Sequence, residues 1–395
     1  MMSQTHPIRA IGLTAALAVA TGLAACAPTP FTVNPELADE EIAVGAASVN
    51  PLLTDEEFQA ALGGYPIIRD AASNSVTIPG IYGAYGLANG DDGDYTLQRG
   101  DHFTPQGLAI SSEYVFVSAY DYDHELNSVI FVLDFDGNFV KTISLDNRAH
   151  VGGIGYDHER DFLWVGDKRG GHAVISGIDL QEIKDYEITD GKPIAYDGSL
   201  YVDTLPNTST LTFAGDILWA GNFTNEAEES QLQLFSLEFE EIDGELAITQ
   251  AGDPDEIYLS ESGDIHIVAD AAFRAPKEVQ GLAFNGQYLY LAQSFGTQEA
   301  KLTRYKPVIG DDTVTFADGT SVDMPPYLQQ IALIDTDEIN YIFPLFESSQ
   351  RTYRKKVEVF VDRIVGFRAE SFEEASYPDL DAVDLEPIPV KKVEE

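Results

Sequence analysis

From about Tyr95 to Phe367 the chain alternates short β-branched and aromatic runs with clusters of Gly, Asp, Asn and Pro, a pattern that predicts strands joined by tight turns. Upstream, Thr54-Asp55-Glu56-Glu57 followed by Phe58, Ala61 and Leu62 reads as a capping box opening one short helix. Helical periodicity then almost disappears. The strand runs recur in a fixed order: Pro105 to Ile110 is followed by Tyr114 to Asp121, Val129 to Leu133 and Phe139 to Ile143. The same order returns from His150, from Ser209, from Val279 and, more diverged, from Leu328. The opening strand carries small residues, as in Gln106-Gly107-Leu108-Ala109 and Gln280-Gly281-Leu282-Ala283, and the strand after it is a nearly unbroken apolar run.

Each unit, of roughly 45 to 70 residues, can supply a four-stranded antiparallel sheet. Small residues on the first strand suit a crowded central channel, and unbroken apolar runs suit strands covered on both faces by neighbouring sheets. The arrangement resembles the β-propellers of the NHL, YVTN and gluconolactonase-like group. That resemblance rests on the form of the repeat and carries no catalytic residues across. The expected fold class is therefore all-β, a β-propeller of five blades. A two-sheet sandwich, the rival, would not require the same strand order in every unit. Ile257 to Val268 offers material for a sixth blade, or for a hairpin inserted after blade three or completing it. Tyr95-Thr96-Leu97-Gln98 is expected to join the last blade as its outer strand and close the ring, removing exposed edges. The expected organisation is a signal peptide over 1–25, a flexible tether over 26–53, an extension with a short helix over 54–94, the propeller over 95–369 and a tail over 370–395.

Cys26 is the only cysteine, and it closes Leu23-Ala24-Ala25-Cys26 behind an apolar stretch that begins at Ile11. Arg9 precedes that stretch, which is short for a membrane span and has the layout of an export signal. The segment resembles the lipobox of bacterial lipoproteins. The resemblance implies cleavage before Cys26, acylation of its thiol and amino group, and a body held at the cell-envelope membrane outside the cytoplasm. An ordinary signal peptide with an incidental cysteine is the alternative. With no second cysteine the chain can form no internal disulfide, so burial must stabilise it.

The 66 acidic residues against 23 basic ones give a formal charge of -43. Such a surface repels phosphate backbones and anionic headgroups, which argues against nucleic acid and against direct lipid binding by the folded domain. Solubility in a salty medium, where self-repulsion is screened, accounts for it without a partner; patches that bind cations are the other reading.

In a propeller the first strand of each blade starts at the face where the second strand ends, so the two sets of positions meet at one channel mouth. Here the sets are Gln106, His150, Ser209, Gln280 and Gln329, and Asp121, Asp167, Asn222, Ser294 and Glu347. All are polar between apolar strands. They can cap sheet ends, or they can line a ligand pocket, which in this fold lies at such a mouth. His150, with Gly152 and Gly153 beside it, could serve as a base oriented by Asp121 or Asp167. Asp121 and Asp123, in Asp121-Tyr122-Asp123-His124-Glu125, are candidate ligands for Ca²⁺, although the run lacks the glycine and distal glutamate of an EF-hand. Asp134-Phe135-Asp136-Gly137-Asn138 and Asp335-Thr336-Asp337-Glu338 read as hairpin turns. Phe346-Glu347-Ser348-Ser349, with Tyr353 and Arg354, could bring an acid, hydroxyls and a cation to the mouth.

No nucleophile elbow, His-Glu-x-x-His, phosphate loop or dinucleotide fingerprint is present. The leading expectation is a membrane-anchored propeller outside the cytoplasm, binding a small polar ligand or an envelope protein without catalysis. The alternative is a metal-assisted hydrolase or lactonase resembling the gluconolactonase-like propellers, in which Asp121, Asn222 and Glu347 have suitable chemistry.

Overall fold

The computed structural model describes residues 45–90, 94–169, 172–242, 245–250, 257–259, 265–309, 314–336, 340–379 and 385–392. Cys26 and the signal segment lie outside the described residues. The strands form a five-bladed β-propeller. The inner strands Phe103–Ile110, Ile154–Asp157, Thr210–Ala214, Val279–Phe284 and Leu328–Asp335 lie side by side around one channel, the fifth packing back against the first. Blade 1 is a four-stranded meander ending in Phe139–Ser144. The apolar runs of the second strands are buried, as in Val115–Asp121 and Leu289–Gln293, because each sheet packs between two others.

Close approach of the inner strands explains their glycines. A Cβ on Gly281 would lie 2.4 Å from the Gln329 carbonyl oxygen of the neighbouring blade, and one on Gly107 would lie 2.9 Å from the Gly152 carbonyl oxygen. Neither position has room for a side chain.

Three expectations are corrected. Tyr95 to Gln98 does not complete blade 5: Tyr95–Gly100 pairs with Ala84–Asn89 as a separate hairpin. The linking sequence Asn89-Gly90-Asp91-Asp92-Gly93-Asp94 is a strong local hairpin signal, and pairing with a near neighbour costs less loop-closure entropy than pairing across the chain. Ser75–Thr77 supplies the N-terminal strand instead, pairing antiparallel with Arg363–Val365 beside the second strand of blade 5. The segment around Ile257 to Val268 forms neither a sixth blade nor part of blade 3. Ile257–Leu259 and Ile265–Ile267 make a hairpin that joins the outer strand of blade 2 in parallel, Leu200 opposite Ile265. Blade 3 is extended by Ala271–Arg274 and then by Pro387–Ile388 from the tail.

The tether is also shorter than residues 26–53. Ala47 bridges to Ala84, Ser48 is buried, and the Leu52 and Leu53 amides donate to the buried Asp362 carboxylate at 2.6 and 2.9 Å. The chain therefore docks from Gly45 onward, held by backbone polar groups that composition does not reveal. Thr54 then caps helix Asp55–Ala61 with both bonds of the capping box, and Phe58 buries its ring beneath the Arg363 guanidinium. In the tail, helix Ala369–Ala375 buries Phe372, and Tyr377–Pro378 pairs with the outer strand of blade 4.

Candidate functional site at the polar mouth

Three of the predicted glutamines reach the mouth by the same device. In blades 1, 4 and 5 the inner strand gains one residue over its partner, between Pro105 and Gly107, Val279 and Gly281, and Leu328 and Gln330. The extra residue is Gln106, Gln280 or Gln329. A β-bulge breaks side-chain alternation and re-aims the inserted residue. Three blades that follow one another around the ring thus present an amide at the same level.

Gln106 and Gln329 meet Glu347, which follows the second strand of blade 5. Gln106 Nε2 donates to Glu347 Oε2 at 2.7 Å, and Gln329 hydrogen-bonds the same carboxyl. Burial pushes Glu347 up to about 8, outweighing those two hydrogen bonds and the charge of Lys356. The group is therefore largely a neutral acid near pH 7, able to donate as well as accept. Gln280 Nε2 donates to the Ser294 carbonyl at 3.3 Å, and the buried Ser294 hydroxyl has no partner. Phe295, next in the chain, is exposed at the rim.

Aromatic rings surround these groups. Tyr353 stacks on Tyr327 with centroids 4.8 Å apart, and its hydroxyl lies 3.5 Å from that of Tyr120. Burial and the nearby Glu347 charge raise the Tyr353 phenol above its ordinary range. His150 stacks on Tyr120 at 4.0 Å, and His124 stacks on Tyr120 as well, at 5.6 Å. Burial, then the charge of His124, holds the His150 imidazole below its ordinary value. The residue as a whole keeps an exposed surface at the rim. Backbone strain gathers here too: His124, Val151, Glu278 and Tyr327 all have positive φ, between 53° and 66°. Glu278 and Tyr327 directly precede inner strands and Val151 stands three residues before one, a concentration of strain that belongs to functional loops more often than to bland connections.

The remaining predicted residues are not brought into this group. Asp121 accepts the amides of Glu125 and Leu126 at 2.9 and 3.0 Å, and Asp123 pairs with His102 Nδ1. Asp167 binds Asn147 and the Lys168 amide, with burial raising its carboxyl. Asn222 spans its own loop, from the Gln231 amide to the Glu229 carbonyl. These side chains organise loops. Among the described residues no group of three His, Cys, Asp or Glu side chains is placed to hold a metal ion. His150 has neither Asp121 nor Asp167 as orienter, since both are committed elsewhere.

Sequence reasoning passed over Gln330. Its Oε1 accepts the Leu282 and Ile331 amides at 2.9 Å, and its Nε2 reaches the Gly152 carbonyl at 3.3 Å. One buried side chain thus ties blades 4 and 5 to the loop entering blade 2 and spans the channel beneath the mouth. The doubled Gln329-Gln330 was the available signal. Beyond this bridge the inner strands enclose a cavity of about 780 Å³ whose opposite lip carries His158, Asn285 and Asp335. Its walls include the free backbone edges of the inner strands.

No family model matches the chain, and no curated protein does. Solved structures match in fold. A protein described as a glucose dehydrogenase-type oxidoreductase from Thermus thermophilus is 13% identical with a TM-score of 0.38, over 71% of this chain and 95% of that one. The glutaminyl cyclase of Myxococcus xanthus is 12% identical with a TM-score of 0.34, over 68% and 90%. TolB from Acinetobacter baumannii is 10% identical with a TM-score of 0.30, over 77% and 64%. At these identities the likeness concerns propeller architecture and assigns no activity.

Proposed function

We propose that this chain is an exported propeller, anchored to an envelope membrane through a lipid on Cys26, that binds a small polar ligand at the mouth shared by blades 4, 5 and 1. The observation that carries the reading is the cluster of Gln106, Gln329 and buried Glu347, two of them placed by β-bulges, with Gln280 at the equivalent bulge. A propeller needs none of these bulges to close its ring: blade 3 pairs its first two strands without one. The amides, the neutral acid and the unpartnered Ser294 hydroxyl offer both donors and acceptors, and the tyrosine and histidine stacks offer flat apolar faces. The hydrolase reading needs convergent oxygen ligands, and Asp121 and Asn222 are committed to loop backbone.

The test is a thermal-stability screen of the protein against neutral sugars, free amino acids and dicarboxylates. A stabilising compound should lose its effect in Gln280→Ala and His150→Ala, which remove partly exposed groups. A compound that stabilises both variants as strongly as the parent would move the site elsewhere.

A further inference from the structure

The turn that follows Glu347 is at odds with the rest of the chain. On a molecule of charge -43, Arg351, Arg354, Lys355 and Lys356 bring four of the 23 basic residues into six positions. Arg351 is occupied by Asp101 and His102. Arg354 is different. It is half-buried, desolvation lowers its guanidinium, and no carboxylate lies within ion-pair distance of it among the described residues. Three comparably buried cations are paired with carboxylates, Arg160 with Asp157 at 2.8 Å, Arg304 with Glu373 at 2.9 Å and Lys301 with Asp379 at 2.7 Å, and Lys141 is held by two carbonyls, at 2.7 and 2.8 Å. Asp362 is taken up by Arg363 and the Leu52 and Leu53 amides.

The surroundings of Arg354 are rich in donors. Its Nη1 lies 3.4 Å from the Ser349 carbonyl, which sets the guanidinium over the turn. Two buried side-chain groups in that turn, Ser349 Oγ and Gln350 Nε2, have no partner. Gln350 Oε1 is committed to the Thr352 and Tyr353 amides, leaving the amide nitrogen directed away from them. Lys356 Nζ lies 5.3 Å from the centre of the Tyr353 ring. A half-buried guanidinium with no carboxylate partner, on a turn with unsatisfied buried donors, is costly unless an acceptor with negative charge completes it.

We infer that the turn Ser348 to Lys356 recognises an oxyanion, the carboxylate or phosphate group of the ligand bound at the polar mouth. Arg354 supplies a planar fork of donors, Ser349 and Gln350 supply neutral donors, and Lys356 supplies charge from the rim. The inference rests on the mouth being a binding site and specifies the acidic end of what binds there.

The experiment is a set of thermal melts at fixed ionic strength and pH, with chloride replaced by succinate or by inorganic phosphate. The expected result is a dose-dependent rise in melting temperature with at least one of them, and an apparent affinity roughly tenfold weaker in Arg354→Gln. Arg354→Lys should recover part of the loss. A response to succinate alone assigns a carboxylate, and a response to phosphate alone a phosphate. Should Arg354→Gln not fold, Ser349→Ala and Lys356→Gln carry the comparison. Equal melts in succinate, phosphate and chloride, or equal shifts in the parent and all variants, would overturn the inference. If a neutral sugar then still stabilises the protein in a Gln280-dependent way, only the anion reading fails. If nothing does, the mouth reading fails with it.

Discussion

Replacing Glu347 by Gln removes one ionisable group while leaving an acceptor for Gln106 and Gln329. In the folded chain, burial raises Glu347 from 4.5 to about 8. In the unfolded chain it titrates near its ordinary value, so between about pH 4.5 and 8 the folded state holds the extra proton. The stability contributed by this group is therefore fully present below pH 4.5 and is lost as pH rises through about 8. The difference corresponds to something on the order of 5 kcal/mol. Glu347→Gln should match the parent near pH 5 and exceed it progressively toward pH 9. Urea unfolding across that range reads the effect as the difference between the two proteins. Taking the difference cancels groups common to both, such as Asp362, raised chiefly by burial, and His158, lowered by it. Parallel stability curves would refute the reasoning, because they would mean that Glu347 ionises in the folded chain as readily as in water.

Three further outcomes follow from the packing and from the proposed anchor. Gln330→Ala should cost about 2 to 3 kcal/mol in urea unfolding, since the buried Leu282 and Ile331 amides lose their shared acceptor. Starting the chain at Thr54 should lower the melting temperature by leaving the buried Asp362 carboxylate without the Leu52 and Leu53 amides; an unchanged melt would show that residues 45–53 contribute nothing. Cys26→Ser should move the protein from the membrane to the soluble fraction with an unaltered melt, whereas retention with membranes would remove the lipid anchor from the account.

The blades were legible in the sequence because each depends on local pattern: an apolar second strand, small residues on the first, turn residues between. Sites that depend on long-range pairing were not. Tyr95 to Gln98 carries a good strand pattern, and only the competing partner Ala84–Asn89 decides where it goes. Ile265–Ile267 could have joined either neighbouring blade, and its parallel pairing with Leu200 has no local signature. In the site, Gln106, Gln329 and Glu347 were identified by position within the repeat, which fixes their level along the channel. The bulges that turn the glutamines inward are invisible in composition. Asp121 and Asn222 share that level, yet loops that fold back on their side chains consume them. Tyr120 reads as a strand residue, and only three-dimensional stacking reveals the part that it and Tyr327 take in the mouth.

The central claim is that the mouth on blades 4, 5 and 1, and not the cavity at the opposite end of the channel, is the binding site. Amide hydrogen exchange with and without a stabilising compound from the screen separates the two directly. Binding at the polar mouth should slow exchange around Glu278 to Gly281, Tyr327 to Gln330 and Glu347 to Arg354. Protection confined to Tyr156 to His158, Phe213 to Ala214, Phe284 to Asn285 and Leu333 to Thr336, which line the opposite cavity, would contradict the account.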